Sequence, residues 1–144
     1  MVILDTNVIS ELIRPRPHPA VVEWIDQQNA FEVWITAVTA AELRTGVALL
    51  PEGRRKSDLH LHIERLLDET FAGYVLPFDD RSAIPYADIV SGRRNKGRRN
   101  KGRSIAFQDA QIGAICLQQG MTLATRNTRD FEDTGIDLID PWSV

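Results

Sequence analysis

Apolar and polar positions along this chain fall into short runs that switch between two periods. Val2, Ile3 and Leu4 are apolar without a break, the pattern of a strand covered on both faces, and the run stops at Asp5. The period then changes. Val8, Ile9, Leu12 and Ile13 recur at helical spacing until Pro15, with Thr6 and Asn7 as candidate N-caps. A proline-rich link from Arg14 leads to Pro19, which suits the first turn of a second helix with Val21, Val22, Trp24 and Ile25 on its apolar face. Phe31 to Thr36 is aromatic and β-branched and predicts a second strand.

The alternation continues. Thr39-Ala-Ala-Glu42 opens a helix running through Leu43, Val47 and Leu50, and from Ser57 a longer one carries Leu59, Ile63, Leu66, Leu67 and Phe71 to a stop at Gly73. Tyr74 to Phe78 predicts a third strand, placed at an edge by Pro77. Asp79 and Asp80 can cap a helix with Ala83, Ile84, Ala87 and Val90, in which Pro85 implies a later start or a kink. Ser104 can cap the next, with Ile105, Ile112, Ile115, Cys116 and Leu117 apolar and Gly120 ending it. Met121 to Ala124 and Gly135 to Ile139 predict the last strands, separated by a turn and a brief helix from Thr128. Strands separated throughout by helices predict a three-layer α/β/α sandwich with a mainly parallel sheet.

Composition narrows the class. The 144 residues are 43% hydrophobic, which predicts a single domain spanning residues 1–144 around one sizeable core. No apolar run is long enough to span a bilayer, and the opening lacks the basic start and long apolar segment of a signal peptide, so a soluble, cytoplasmic protein is expected. One cysteine, Cys116, cannot form an internal disulfide, and His18, His60 and His62 lack zinc-ligand spacing.

The net charge of −3 conceals an asymmetry. Arg93, Arg94, Lys96, Arg98, Arg99, Lys101 and Arg103 hold seven of the 17 basic residues, leaving a strongly acidic remainder. All but Arg103 lie in a literal duplication, Gly92-Arg-Arg-Asn-Lys96 followed by Gly97-Arg-Arg-Asn-Lys101, which reads as a lengthened surface loop. An acidic body with one basic arm suits a carboxylate site beside a polyanion-binding segment.

Four acids are candidates. Asp5 ends a strand, and ligands of open parallel sheets bind beyond the strands' carboxyl ends. Glu42 begins a helix just past a strand, which brings it to the same edge, although Thr39-x-x-Glu42 also matches a capping box. Asp109 interrupts an apolar helix beside Ala110, Gly113 and Ala114, where close packing is expected; a solvated face beside Gln108 and Gln111 would also accept it. Asp130 is a weaker fourth, since it can serve only the dipole of a short helix. Carboxylates gathered at one edge repel one another unless a hard cation, Mg²⁺ or Mn²⁺, neutralises them, and such an ion promotes attack of water on a phosphodiester.

Taken in order, Asp5-Thr-Asn7, Thr39-x-x-Glu42, Asp109-Ala-Gln-Ile-Gly-Ala and Thr125-Arg-Asn-Thr-Arg-Asp130-Phe resemble the PIN-domain proteins over essentially the whole chain. The opening Leu-Asp-Thr-Asn-Val-Ile-Ser-Glu-Leu and the closing Leu138-Ile-Asp-Pro-Trp142 are similar to its VapC and FitB toxins. The resemblance implies a five-stranded parallel sheet and a Mg²⁺-dependent endoribonuclease, the toxin of a type II toxin–antitoxin pair. It implies Asp5, Glu42 and Asp109 as metal-binding acids, a homodimer, and inhibition by a small antitoxin that alone binds operator DNA. Two departures stand out. Asn127 occupies a position where many relatives carry an acid, so the fourth member is Asp130 or is replaced by Asn127, and the basic segment carries an extra copy.

Two other classes fit part of the pattern. In one, the acids only capture a partner's arginine and nuclease activity is lost. In the other, Asp5 is phosphorylated as in receiver or haloacid-dehalogenase proteins, but Asp5-Thr-Asn7 lacks their second aspartate and Arg126 stands where a lysine is expected.

Overall fold

A computed structural model describes residues 1–96 and 105–144, with side chains to 92 and from 105 onward. The basic arm's side chains and Ser104 therefore lie outside the described residues.

Strand β1 (Val2–Leu4) occupies the centre of a five-stranded sheet, flanked by β2 (Val33–Thr36) and β4 (Thr122–Ala124). Beyond them lie β3 (Val75–Leu76) and β5 (Leu138–Ile139), giving the order β3-β2-β1-β4-β5 with every pairing parallel. In register, Ile3 lies between Trp34 and Leu123. The edge position expected for the third strand is thus observed.

Strand alternation divides the core into layers. Val2, Leu4, Val33 and Ile35 face α1 (Thr6–Leu12), α2 (Pro19–Asp26), α3 (Ala37–Ala48) and α4 (Arg54–Arg65), packing with Val8, Ile9, Val21, Trp24, Leu43, Val47 and Ile63. Ile3 and Leu123 face the other way onto Ile112, Ile115 and Cys116 of α6 (Phe107–Gln119), against which α5 (Ala83–Lys96) packs through Ile89. The central β1 is buried on both sides, which is why its sequence shows no polar alternation.

Several boundaries differ from the sequence reading, each for a local reason. Residues 30–32 form a 3₁₀ turn capped by Asn29, so the second strand starts at Val33 rather than Phe31. Helix α4 begins at Arg54, before Ser57, and continues into a π-helical turn, Leu66–Thr70. Asp79 caps a 3₁₀ turn, Asp80–Ser82, and α5 starts after it at Ala83, the later start expected, so Pro85 occupies the first turn, where a missing N–H costs no helical hydrogen bond. Helix α6 starts at Phe107, with extended Ala106 at its N-cap and no side-chain cap. It ends at Gly120, whose φ of 65° is the left-handed conformation that suits glycine. The final strands are shorter than expected, at Thr122–Ala124 and Leu138–Ile139.

Among the described residues no helix is long and apolar enough to cross a membrane. Cys116 is a free, buried core residue.

Candidate active site at the carboxyl ends of β1 and β4

The chain steps outward from β1 to β2 and β3, then crosses back to place β4 on the other side of β1. At such a reversal the segments leaving two adjacent strands depart toward opposite faces, and a crevice opens between them. Here it lies at the carboxyl ends of those two strands, lined by Asp5 after β1 and by Arg126 and Asn127 after β4.

Asp5 is the true N-cap of α1, in place of the expected Thr6 or Asn7. Its extended backbone follows directly from the strand, and its Oδ1 accepts a hydrogen bond from Thr6 N at 2.7 Å. Oδ2 accepts from the Thr125 hydroxyl at 2.7 Å and from Asn7 Nδ2 at 3.3 Å. Asp5 is only 4% exposed, and burial pushes its pKa up despite these three donors, with the charge of Asp130 adding to the effect.

Thr125 and Asn7 brace the crevice. The fully buried Thr125 hydroxyl accepts from Asn7 Nδ2 at 3.2 Å and from Asn127 N at 3.1 Å. Asn7 Oδ1 in turn accepts from Arg126 N at 3.2 Å. The first turn of α1 and the loop after β4 are thereby locked together.

Glu42 does not close a capping box. The N-cap of α3 is Thr36, whose hydroxyl accepts from Thr39 N at 3.1 Å, so Thr39 lies inside the helix and Glu42 one turn further on. Its Oε1 accepts instead from the Thr6 hydroxyl at 2.8 Å, and Thr6 also contacts the Thr39 hydroxyl at 3.0 Å. A helix-start signature was present in the sequence, but three residues upstream of where it was expected.

Asp109 sits in the first turn of α6. Burial pushes its pKa up to about 6, and the charges of Asp5, Asp130 and Glu42 contribute further. Asp5, Glu42 and Asp109 line one cleft of about 420 Å³, together with Thr6, Asn7, Ser10, Glu11, Arg14, Arg126, Asn127 and Trp142. Asp130 lies outside that lining, exposed in the 3₁₀ turn Thr128–Phe131, and its charge bears on Asp5 and Asp109. Asn127 does line it. Among the described residues, no group of three His, Cys, Asp or Glu side chains is arranged so that it could hold a metal ion.

Another part of the lining was not anticipated. Buried Glu11 accepts from Trp142 Nε1 at 3.4 Å and from Arg14 Nη1 at 3.1 Å, and the Arg126 guanidinium lies 5.2 Å from the centre of the Trp142 ring. Trp142 also packs against the core layer of Leu4, Val8 and Ile9, so its place in the sequence reads first as a core residue.

Comparison with known proteins agrees with this architecture. The PIN domain family profile matches residues 2–137. Toxin FitB of Neisseria gonorrhoeae is 42% identical over 142 residues, covering 99% of each chain. VapC ribonuclease Y4jK of Sinorhizobium fredii is 39% identical over 142 residues, covering 99% of this chain and 98% of its own. The structure of FitAB bound to an IR36 DNA fragment superposes with a TM-score of 0.88 at 42% identity, over 100% of this chain and 97% of that one. With a profile match across nearly its whole length and the same parallel sheet, this chain belongs to the PIN domain family.

Proposed function

We propose that this protein is the toxin of a toxin–antitoxin pair and acts as a metal-dependent endoribonuclease. The observation that carries the reading is the single cleft at the strand ends bearing Asp5, Glu42 and Asp109. Relatives named toxin and ribonuclease, similar along essentially their full length, support it.

The donor set suits a hard divalent cation, Mg²⁺ or Mn²⁺. All three groups are carboxylates, and among the described residues none of them is ion-paired to an arginine or lysine. The Asp109 pKa is raised chiefly by burial, and the neighbouring charges of Asp5, Asp130 and Glu42 add to the rise, as expected where no cation compensates them. Because no three acids close around one point, the fit is to an ion keeping several waters and touching one or two carboxylates, which is how Mg²⁺ is usually held. When bound, the ion would neutralise the acids, acidify water and stabilise charge developing on a scissile phosphate.

Asp5 and Asp109 are proposed as its direct ligands, with Glu42 as a ligand or an orienter of water. Asp5 accepts three hydrogen bonds, so roughly one of a carboxylate's four acceptor positions stays available, and its orientation is fixed. The Thr6 hydroxyl holds Oε1 of Glu42 and fixes that carboxylate relative to Asp5. Thr125, Asn7 and Asn127 keep the two strand ends at constant separation. Asp130 contributes negative potential from outside the cleft. The basic arm is proposed as an electrostatic grip on RNA. We further assign a homodimer, and as partner a small DNA-binding antitoxin through which alone operator DNA is reached.

The test is cleavage of RNA that stops in EDTA, returns with Mg²⁺ and is abolished by Asp5→Asn. Cleavage at the parent rate by Asp5→Asn would remove the role given to this acid. The absence of a preformed three-acid set gives the partner-capture reading a foothold. A protein that binds its antitoxin tightly and leaves every RNA intact would establish that alternative.

A further inference from the structure

An acidic cleft repels a polyanion, and a nuclease must bring a phosphodiester into it. The lining of the same cleft carries a compensating feature. Arg126 immediately follows Thr125, and its backbone N–H is held by Asn7 Oδ1 at 3.2 Å. Its guanidinium does not turn to a carboxylate: among the described residues Arg126 forms no ion pair, although Asp5, Glu11, Glu42 and Asp109 line the same cleft. It lies instead over the Trp142 ring, 5.2 Å from the centroid, a distance at which the ring face attracts a cation.

The ring is itself pinned. Trp142 N donates to Asp140 Oδ1 at 2.9 Å, Nε1 donates to Glu11 Oε1 at 3.4 Å, and Glu11 is 7% exposed and held by Arg14. A cation parked on an aromatic face keeps its in-plane donors free for an anion, which a guanidinium locked onto a carboxylate cannot do.

We propose that Arg126, positioned by Trp142, binds the RNA phosphate next to the one presented to Asp5, Glu42 and Asp109. This rests on the nuclease reading and adds to it a residue and a contact. Arg14, already engaged by Glu11, serves the pinning of Trp142 and not the substrate.

The test uses a short fluorescein-labelled single-stranded RNA of mixed sequence, bound to Asp5→Asn protein in EDTA and followed by anisotropy across a salt series. Removing one phosphate contact lowers the slope of log K against log salt by about 0.7 for single strands. Arg126→Ala is expected to show that loss of slope and to bind roughly tenfold more weakly at low salt. Arg126→Lys should recover the slope. Trp142→Phe, which keeps a ring face, should bind like the parent, whereas Trp142→Leu should approach Arg126→Ala; melting curves identify any variant that has lost its fold. If the parent binds and cleaves RNA while Arg126→Ala keeps the parent slope and affinity, the inference is overturned and the nuclease reading stands. If the parent neither binds nor cleaves RNA, both fall together.

Discussion

The hydroxyl of Thr125 does more for the site than any group the chain's acids supply for themselves. It donates to Asp5 and accepts from Asn7 and Asn127, all within a fully buried position. Replacing it with valine keeps the shape and removes all three bonds. Thr125→Val is therefore expected to cost about 1–3 kcal/mol of stability, because Asp5 and two donors lose their partner. Denaturant unfolding measures this, and RNA cleavage should fall with it. Asp109 gives a second residue-scale prediction, one with a defined pH signature. Its pKa is raised from 3.8 to about 6, so the folded protein holds its proton more tightly than the unfolded chain does. Below 3.8 both states are protonated and there is no penalty; as pH rises through about 6 the folded state loses stability. For a half-exposed carboxylate, after discounting for solvent screening, the effect is on the order of 1 kcal/mol. Asp109→Asn should thus melt roughly 2–4 °C higher than the parent near pH 8 in EDTA, with the gain vanishing near pH 4. An equal difference at both pH values would show that ionisation of Asp109 is not its origin. The sequence made Asp5 visible because it ends an apolar strand, Glu42 because it follows a helix start just past a strand, and Asp109 because it interrupts an apolar helix. It hid Arg126 and Trp142, whose meeting depends on where the tail returns.

At the scale of elements, periodicity identified β1, the helices and the parallel alternation, because burial of β1 on both faces and amphipathic helices leave direct marks in the sequence. Termini were less legible. Thr36, Thr39 and Glu42 all fit a helix start by residue type, and which one caps depends on where β2 ends. The distinction has consequences. Thr36→Ala removes the real cap of α3 and should cost about 1–2 kcal/mol. Glu42→Gln retains an acceptor for the Thr6 hydroxyl, leaves the cap intact, and should alter stability by less than about 0.5 kcal/mol in metal-free protein. Equal destabilisation by the two would restore the capping-box role of Glu42. The brevity of β3 and β5, two residues each, also escaped the sequence pattern, since edge strands need only the few pairs that close the sheet.

On the scale of the whole molecule, the sheet order explains why residues separated by a hundred positions meet. Reversal of strand order beside β1 places the loop after β4 against the first turn of α1, while α3 brings Glu42 and α6 brings Asp109 to the same edge. Strand alternation alone could not yield that order, which resides in the crossover from the α5–α6 layer. The central claim is that the resulting cleft binds a divalent cation at Asp5 and Asp109, with Glu42 as a ligand or an orienter of its water. A ligand that binds only the folded state raises its stability by RT ln(1 + [L]/Kd), so at a hundredfold excess over Kd the gain is about 2.7 kcal/mol. The most direct test is the melting temperature of the parent, Asp5→Asn, Glu42→Gln and Asp109→Asn proteins in EDTA and in saturating Mg²⁺. The account predicts a clear Mg²⁺-dependent rise for the parent, lost in Asp5→Asn and Asp109→Asn and reduced in Glu42→Gln. No rise in the parent, or the same rise in all four proteins, would contradict it.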